Sequence, residues 1–567
     1  METGPDGRSG GAIDHSLRLS ELVRAGGDAV LVGQGDPRVT GVAHDSRSVR
    51  PGDLFAALPG ARRHGAACAA EAVSAGAVAV LTDAAGARLL DGAGVRVPRL
   101  IVEDPAVVLG PVAAAVHGDP GAGLSLIGVT GTNGKTTTTH LLDAALRALG
   151  RTTGLIGTVQ TRVGPRARPS RMTTPDAPDL QALLAAMRDE GVDVVSMECS
   201  SHALDQHRLG GLVFDVVAFT NLSREHLDYH GSMEDYYAAK ARLFAPERAR
   251  RGIVVVDDEW GRRLAAEARI PVVTLAGGPG QLPAGVSGAR MSGDGSSAVG
   301  SPAAGTSTAE ASTQAGSVDA AMWRVSGTAG SEDFVLSGPD GELRLRTPLP
   351  GEHNRVNTAV AALVLLQLGA TPDQVVAALG APVEVPGRMQ LLDLGPGAPT
   401  AVVDFAHTPD AMAKSAALRR RHGGRLVITV SAGGDRDRGK REPIGYAAAM
   451  SGADVLVVTD DHPRTEDPAV IRAAVLRGVR AAGQELQTGG RRPPEVIEVG
   501  EGRRRALEVA LGAAGPGGMV GFFGLGPDRH QHIGPPGTLV PFVETEEIRA
   551  AWTRVSRAGD PSFRDAR

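Results

Sequence analysis

A glycine-rich segment followed by lysine and threonine lies between an apolar run and an amphipathic stretch. It comprises Gly131, Thr132, Asn133, Gly134, Lys135, Thr136 and Thr137. In such a loop the glycines let backbone N–H groups close on phosphate oxygens, and the following helix adds the positive end of its dipole. Lys135 can reach terminal phosphates, and the Thr136 hydroxyl can bind Mg²⁺. The segment therefore predicts a nucleotide phosphate site.

The loop departs from the usual eight-residue pattern because Val129 occupies the position of the first glycine. Its context supports the prediction. Residues 124–130 are predicted as a short buried strand, and residues 136–149 place leucines and alanines on one helical face before Gly150. The alternative is a glycine-rich turn that starts a structural helix. The order strand, glycine loop, Lys-Thr and helix favours the phosphate site over that alternative.

Three further residues have chemistry that local sequence alone leaves open. Glu198 ends a predicted strand at 194–197, at the sheet edge where α/β proteins bind ligands, and its carboxylate can hold Mg²⁺. Taken alone, such a glutamate is more often solvated. Lys240 taken alone reads as a solvated helix residue, and His226 as a histidine of a surface loop.

Eight segments, together with the loop, resemble the Mur ligase family, in particular its UDP-N-acetylmuramyl-tripeptide synthetases. They are Asp45-Ser46-Arg47, Thr173-Thr174-Pro175, Glu198-Cys199-Ser200-Ser201-His202, Gln206-His207-Arg208, His226-Leu227-Asp228-Tyr229-His230, Pro386-Gly387-Arg388-Met389, Asp404-Phe405-Ala406-His407 and Asp435-Arg436-Asp437. These matches and their neighbours run in the family's order from about residue 45 to residue 464. One match can arise by chance, but a whole ordered set points to common descent.

The alternation of short apolar runs with amphipathic stretches predicts an α/β fold. The resemblance implies three domains. We expect a smaller N-terminal α/β domain that binds UDP at 1–103, a central phosphate-loop ATPase with a mostly parallel sheet at 104–383, and a C-terminal Rossmann-like domain at 384–567. Residues 279–318 are rich in Gly, Ser, Ala and Thr and are predicted to be a disordered insertion. The same is expected of residues 1–15 and of the tail 557–567.

The resemblance also implies a reaction and its metals. ATP activates a carboxylate as an acyl phosphate, which an amine then attacks; the sequence assigns no general base. Thr136 and Glu198 are implied as ligands of one Mg²⁺, and His226 and Lys240 help to set a second. Lys240 is implied to be carbamylated by CO₂, which requires a neutral amine and hence a pKa lowered by its surroundings. Lys135 and the metals would offset the charge on the transferring phosphoryl group.

Two substrate pockets follow from the same resemblance. Contacts to a UDP-N-acetylmuramoyl-dipeptide are implied for Ser46, Thr173, Thr174, Ser200, Gln206 and Arg208. Contacts to the incoming amino acid are implied for Arg436, Asp461, His462, Pro463, Arg464, Gly526 and Asp528.

The amino-acid pocket departs from the family pattern at two places. Asp461-His462-Pro463-Arg464 replaces the Asp-Asn-Pro-Arg of diaminopimelate-adding enzymes, and Leu525-Gly526-Pro527-Asp528 replaces Lys-Gly-His-Glu. Diaminopimelate is the expected amino acid because Arg464 is kept, although altered partners can change specificity greatly.

Alternatives in other classes remain open at this stage. One is a paralogous ligase with a different amino acid or carboxylate; a folylpolyglutamate synthetase fits the N-terminal segments less well. Another is a catalytically silent nucleotide-binding protein, whose signature would be loss of Lys135, Glu198, His226 or Lys240. All four are present. No feature indicates the oligomeric state.

Bulk properties exclude several classes. The formal net charge is −5 with an isoelectric point near 6.3, so no basic excess indicates nucleic-acid binding. No apolar run reaches 18 residues, so no membrane span is expected, and the N-terminus lacks the apolar core of a secretion signal. Two cysteines, Cys68 and Cys199, form no disulfide framework and fit a reducing cytoplasm.

Overall fold

The computed structural model describes residues 16–60, 63–277, 322–421 and 423–559. The predicted insertion at 279–318, the predicted disordered N-terminus at 1–15 and most of the predicted tail lie outside these residues. Within them the chain forms three large sheets, of five, eleven and six strands in chain order. No helix in the described ranges combines the length and apolarity that crossing a bilayer needs.

The first sheet is almost entirely parallel. Its strands, in spatial order, are Val30–Val32, Arg99–Ile101, Ala79–Thr82, Asp53–Ala56 and Gly41–Ala43, and the edge strand Val30–Val32 alone runs antiparallel to its neighbour. The accompanying helices are Ala69–Ser74, Ala84–Gly92 and Pro105–Val116. Separate apolar clusters involve the two faces of the sheet, as buried parallel strands require.

The central sheet has a parallel middle and antiparallel edges. Its strands, in spatial order, are Arg166–Pro169, Gln160–Val163, Thr153–Ile156, Val194–Glu198, Ser125–Thr130, Val216–Phe219, Gly252–Val255, Val272–Ala276, Trp323–Ser326, Asp333–Gly338 and Gly341–Arg346. The parallel part runs from Thr153–Ile156 to Trp323–Ser326. Chain order reverses beside Ser125–Thr130, and such switch points in open α/β sheets are where ligands bind.

Helices cover both faces of the central sheet. They are Lys135–Ala148, Ala177–Asp189, Ser201–Asp205, Leu227–His230, Met233–Ala241, Glu259–Glu267, Glu352–Gln367 and Pro372–Leu379. Lys135–Ala148 packs against Glu352–Gln367 in one apolar cluster, and Ala177–Asp189 lies in the other. The helix after the loop can begin at Lys135 because Gly134 takes the positive φ of +93° that precedes it.

The third sheet is parallel except at one edge. Its strands, in spatial order, are Gln390–Leu392, Thr400–Asp404, Met519–Phe523, Leu426–Val430, Val455–Val458 and Glu495–Glu498. Its helices are Pro409–Ala413, Ala416–Arg421, Arg441–Met450, Pro468–Thr488, Arg503–Ala514 and Glu544–Gly559. A two-stranded sheet of His530–His532 and Leu539–Pro541 lies near its carboxyl edge.

One predicted strand is wrong in its start. The sequence predicts a buried strand over 213–219, whereas the strand is Val216–Phe219. Val213 is 44% exposed, and Phe214 makes an isolated bridge to Ala249 before the ladder begins. Apolar type alone cannot separate a solvent-facing valine at a strand entrance from the buried residues that follow it.

Candidate active site

The phosphate loop, residues 131–137, follows the carboxyl end of the strand Ser125–Thr130. Its shape requires glycine at Gly131, whose φ is +142° and where a Cβ would lie 2.0 Å from Thr220 Oγ1. Two hydrogen bonds hold the loop to the next strand's end: Thr132 N–H donates to Asn221 O at 2.9 Å, and Asn133 N–H donates to Asn221 Oδ1 at 3.0 Å. The loop is therefore shaped by the protein before any ligand binds.

Two lysines converge on one carbonyl of this loop. Lys135 Nζ donates to Gly131 O and to Thr132 O, each at 2.9 Å, and Lys240 Nζ donates to Gly131 O at 2.9 Å. Burial lowers the pKa of Lys135, and burial followed by the charge of Lys135 lowers the pKa of Lys240 well below its usual range. Lys240 is only 1% exposed, unlike the solvated helix residue that its local sequence suggests.

Glu198 lies fully buried at the end of its strand, beside the start of the phosphate-loop helix. Its Oε2 accepts hydrogen bonds from the hydroxyls of Thr136 and Thr158, both at 3.0 Å, and its Oε1 accepts the Thr158 N–H at 2.8 Å. Thr137 is buried one position further along the helix. The structure thus brings together Thr136 and Glu198, the two residues implied to bind one Mg²⁺, and adds Thr158, which the sequence did not indicate.

Arg388 reaches this pair from another part of the chain. Its Nη2 donates to Thr136 Oγ1 at 3.3 Å, and its guanidinium lies 4.8 Å from the ring centroid of Phe405. Sequence analysis matched Arg388 to a family segment but gave it no role. A contact across 252 positions leaves no local pattern, so the family match was the available signal.

His226 stands at the start of the short helix Leu227–His230 with a positive φ of +56°. Its ring lies 4.8 Å from that of His202 and 6.1 Å from that of Tyr236, and Lys240 Nζ lies 4.6 Å from the same tyrosine ring. Burial lowers the pKa of His226 to about 2, so the imidazole is neutral, the form that binds metals.

Three of the implied UDP-substrate residues lie beside Glu198. Thr174 Oγ1 donates to Glu198 O at 2.7 Å, and Ser200 N–H donates to Thr174 Oγ1 at 3.1 Å. Thr173 Oγ1 lies 3.1 Å from Thr158 Oγ1. These hydroxyls therefore share one edge of the sheet with the Thr136–Glu198 pair.

Gln206 and Arg208 lie next to that group, whereas Ser46 lies apart. Arg208 donates from Nε to Gln206 Oε1 at 3.0 Å and from Nη1 to Thr174 O at 3.0 Å. Ser46 belongs to the first sheet's region and donates to Glu71 Oε2 at 3.0 Å. The region of Ser46 is connected to Arg208 only indirectly among the described residues. His44 Nε2 lies 3.4 Å from Asp176 Oδ2, and Asp176 forms an ion pair with Arg208.

The residues that the resemblance implies for the amino acid gather at the carboxyl edge of the third sheet. Arg464 has a positive φ of +53°, and its Nη1 donates to Gly434 O at 2.8 Å. Pro463 is buried against Gly434, where a Cβ would lie 2.0 Å from Pro463 O. At Gly526, with φ of +54°, a Cβ would lie 2.6 Å from Phe405 Cβ, so glycine is required there.

His462 and Asp528, which differ from the family pattern, contact each other directly. His462 Nε2 lies 3.0 Å from Asp528 Oδ2 and 3.6 Å from Asp461 Oδ1. Asp461 is buried, and its Oδ1 has no hydrogen-bond partner within the described residues. Arg436 lies nearby with its guanidinium about half exposed. Cationic and anionic groups thus lie together here, and Asp528 and Arg436 are both partly exposed to solvent.

Ion pairs join the third sheet's loops to the loop that carries His226. Lys440 Nζ lies 3.2 Å from Glu225 Oε1, and Arg224 Nε lies 3.1 Å from Asp437 Oδ2. Arg436 Nη1 lies 4.0 Å from Asp228 Oδ2. The loop of the third sheet that carries Arg436 and Asp437 therefore contacts the loop that carries His226.

Family models match three stretches of the chain. The Mur ligase family catalytic domain matches residues 38–117, the Mur ligase middle domain matches residues 129–278, and the Mur ligase glutamate ligase domain matches residues 387–526. The matches cover in turn the regions of the first, central and third sheets.

Relatives with assigned names match along almost the whole chain. The UDP-N-acetylmuramoyl-L-alanyl-D-glutamate--2,6-diaminopimelate ligase of Streptomyces coelicolor is 43% identical over 92% of this chain and 94% of its own. The UDP-N-acetylmuramyl-tripeptide synthetase of Leifsonia xyli subsp. xyli is 42% identical over 94% and 95%. A solved structure of a UDP-N-acetylmuramoyl-L-alanyl-D-glutamate--2,6-diaminopimelate ligase is 26% identical with a TM-score of 0.59, over 96% of this chain and 100% of that one. The predicted α/β, three-domain fold class and the predicted resemblance are confirmed.

Proposed function

The chain belongs to the Mur ligase family, and we propose that it adds 2,6-diaminopimelate to UDP-N-acetylmuramoyl-L-alanyl-D-glutamate in the synthesis of peptidoglycan precursors. We place this reaction in the cytoplasm, where ATP is available. The observation that carries the proposal is that Thr136 of the phosphate loop contacts both Glu198 and Arg388, while ion pairs join the third sheet to the nearby loop at 224–228. The domain limits 1–103, 104–383 and 384–567 are part of the same proposal.

We assign the ATP phosphates to the loop at 131–137. Backbone N–H groups at the start of the helix Lys135–Ala148 point toward that space and favour anions. Lys135, now bonded to loop carbonyls, can exchange those neutral acceptors for phosphate oxygens, which bind an ammonium more strongly. Arg388 can add a second cation beside the transferring group.

The residues present fit magnesium at two places. Thr136 Oγ1 and Glu198 Oε2 are hard oxygen ligands 3.0 Å apart, of the kind Mg²⁺ prefers. Neutral His226 and a carbamylated Lys240 would serve a second ion; the low pKa of Lys240 supports that modification. When bound, the ions offset negative charge on the transferring phosphoryl oxygens.

The carboxylate of the UDP-linked substrate attacks the terminal phosphorus of ATP, and ADP leaves. The neutral amine of the amino acid then attacks the acyl carbon, phosphate leaves and the amine loses a proton. We assign the orientation of the UDP-linked substrate to the side chains that cluster at the sheet edge, which are those of Thr173, Thr174, Ser200, Gln206 and Arg208. Ser46 would join them from the N-terminal domain.

The incoming amino acid is assigned to the pocket at the carboxyl edge of the third sheet. Arg464 and Arg436 can bind its carboxylate, and Asp528 can accept from an ammonium. The chain's role in the second step is mainly positioning, which can lower a barrier by several kcal/mol, up to about 7–11 kcal/mol in the best cases.

The contact between His462 and Asp528 favours one second candidate: a ligase of the same mechanism with a different amino acid. That pair changes the polar groups at the amino-acid end and leaves the phosphate loop untouched. A hydrogen-bonding site rebuilt in this way can discriminate strongly between amino acids.

Product analysis separates the two candidates. The purified chain is incubated with ATP, Mg²⁺, UDP-N-acetylmuramoyl-L-alanyl-D-glutamate and one amino acid at a time, and phosphate release and product mass are followed. A mass gain of diaminopimelate, absent with a Lys135→Met variant, is the expected result. A gain of another amino acid would assign the second candidate, and no gain with any would contradict both.

A further inference from the structure

His462 is fixed from both sides of its imidazole ring. Its Nδ1 accepts the backbone N–H of His532 at 3.0 Å, and its Nε2 lies 3.0 Å from Asp528 Oδ2. The side chain is largely buried, and its backbone carbonyl accepts the Gly434 N–H at 2.9 Å. Neither ring nitrogen is available to a substrate while these bonds hold.

The two hydrogen bonds determine the proton's position. Because Nδ1 accepts from a backbone N–H, the neutral ring carries its proton on Nε2 and donates it to Asp528. Burial opposes the charged imidazolium, yet Asp461 and Asp528 raise the pKa of His462 overall. Protonation would add a proton at Nδ1 and break the His532 contact. Nε2–H faces Asp528 in either charge state.

Asp528 is the more open partner. Its side chain is 37% exposed, and its Oδ1 makes no hydrogen bond to any residue in the described ranges. It follows the glycine turn at Gly526 at the mouth of the pocket. Rotation about its side-chain bonds would remove Oδ1 from the pocket unless Oδ2 were held.

We propose that His462 is a positioning residue, which holds Oδ2 of Asp528 so that Oδ1 binds a second ammonium group of the incoming amino acid. The inference rests on the proposed function, whose diaminopimelate carries an ammonium in addition to the amine that reacts, and it adds the residue that positions the partner of that ammonium. Arg464 and Arg436 are left to bind carboxylate. Asp528 is one methylene shorter than the glutamate of the family pattern. The imidazole of His462 is longer than the asparagine side chain of that pattern, and it spans the distance to the shorter carboxylate.

Two substitutions of His462 separate this role from a purely structural one. Asparagine can keep an acceptor near the Nδ1 position, and so the His532 contact, but has no group at the Nε2 position. Glutamine can place its amide N–H near Nε2, and so keep the Asp528 contact, but offers no acceptor at Nδ1. Both are neutral and polar.

The measured quantities are the KM values for each substrate and kcat, with thermal unfolding as a check on folding. We expect His462→Asn to raise the KM for the amino acid about tenfold or more, the effect of losing a hydrogen bond to a charged group. His462→Gln is expected to stay within about threefold of the wild type. The KM values for ATP and for the UDP-linked substrate should not change in either variant. Asp528→Asn should match the loss in His462→Asn.

The opposite order, with asparagine harmless and glutamine damaging, would overturn the inference and leave His462 as an anchor for the His532 segment. The amino acid that the wild-type chain uses is determined in a separate experiment. If it uses another diamino acid, such as lysine, and glutamine outperforms asparagine, the proposed function fails and the positioning role stands. If it uses diaminopimelate and the order is reversed, the proposed function stands and the positioning role fails. An amino acid with no second ammonium as the true substrate would overturn the role outright.

Discussion

Two carboxylates show how differently the phosphate-loop side and the proposed amino-acid side are built. Glu198, at the phosphate loop, is fully buried and accepts three hydrogen bonds from Thr136 and Thr158. Asp528, in the amino-acid pocket, is 37% exposed, and its side chain accepts one hydrogen bond, from His462. Glu198 lies in a segment that matches the family, whereas Asp528 is itself an altered residue and contacts a second altered residue, His462.

The difference follows from what each side must do. Stabilising charge on a transferring phosphoryl group needs fixed groups that do not reorganise, so its residues are locked by several contacts each. Choosing an amino acid needs matched polar partners, and one exchanged pair can alter the choice without disturbing the chemistry. Changes at the phosphate loop should therefore lower kcat with every amino acid. Changes in the amino-acid pocket should instead raise the KM for the amino acid that the pocket selects.

Lys135 should give the largest effect on the phosphate side. Lys135→Met keeps most of the length of the chain but removes the charge that can pair with phosphate, and kcat should fall about 10³-fold or more. The effect is measured as the rate of phosphate release. Lys135→Arg is the matched control, because it keeps the positive charge but changes the shape of the charged group. Retention of a tenth of the activity by Lys135→Met would remove this lysine from the mechanism.

Glu198→Gln should follow, with kcat lower by about 10²- to 10³-fold. The amide keeps the size of the side chain and can keep contacts to Thr136 and Thr158, so thermal stability should change little. What is lost is the negative charge for Mg²⁺. Activity against Mg²⁺ concentration should shift to higher concentration. An unchanged Mg²⁺ dependence would show that Glu198 serves the fold alone.

Lys240→Arg should lower kcat about 10²-fold, because arginine cannot form a carbamate. The reaction with CO₂ uses the neutral amine. A pKa lowered by burial and by Lys135 keeps that form populated at assay pH, and only a more acidic solution would protonate it. The chain has four lysines, at 135, 240, 414 and 440, so a ¹³C carbamate signal has little background.

The labelling experiment uses ¹³C bicarbonate and carbon NMR of the wild type and Lys240→Arg. A carbamate signal in the wild type that is missing in the variant is expected. A signal that persists in the variant would move the modification to another lysine. No signal in either protein, with full activity, would end the carbamate proposal.

Arg388 should give the smallest effect of the four. It contacts Thr136 from the amino-acid side of the chain through one hydrogen bond of 3.3 Å. Arg388→Ala should lower kcat about tenfold, and Arg388→Lys should recover part of the loss because charge is restored without the planar fork. An effect only on the KM for the amino acid would assign Arg388 to the amino-acid pocket. It would contradict the assignment of Arg388 to the phosphate side.

Local sequence was sufficient for the parts of the fold with strong periodicity. The strand Ser125–Thr130 and the helix Lys135–Ala148 lie within one residue of their predicted limits, since apolar spacing and glycines mark both ends. Val213 shows the opposite case, where an apolar residue faces solvent and the strand begins later. The sequence around a residue does not indicate which distant segments of the chain pack against it.

The structure brings together several of the residues that the sequence singled out, but most of the contacts that connect them could not be predicted. Thr136 and Glu198 were placed together through the family pattern, and they lie 3.0 Å apart. The contacts of Arg388 with Thr136 and of His462 with Asp528 span 252 and 66 positions, and long-range geometry decides them. The burial of Lys240 likewise depends on packing against Tyr236 and the loop, which its polar local sequence does not indicate.

The central claim is that the phosphate side makes an acyl phosphate whatever amino acid the pocket selects. UDP-N-acetylmuramoyl-L-alanyl-D-glutamate with ¹⁸O in its glutamate carboxylates tests it directly, when the phosphate released during turnover is analysed by mass spectrometry. Transfer of one ¹⁸O to each phosphate is predicted, because the carboxylate oxygen that attacks ATP leaves with the phosphate. Phosphate free of ¹⁸O, with the tripeptide formed, would contradict the claim.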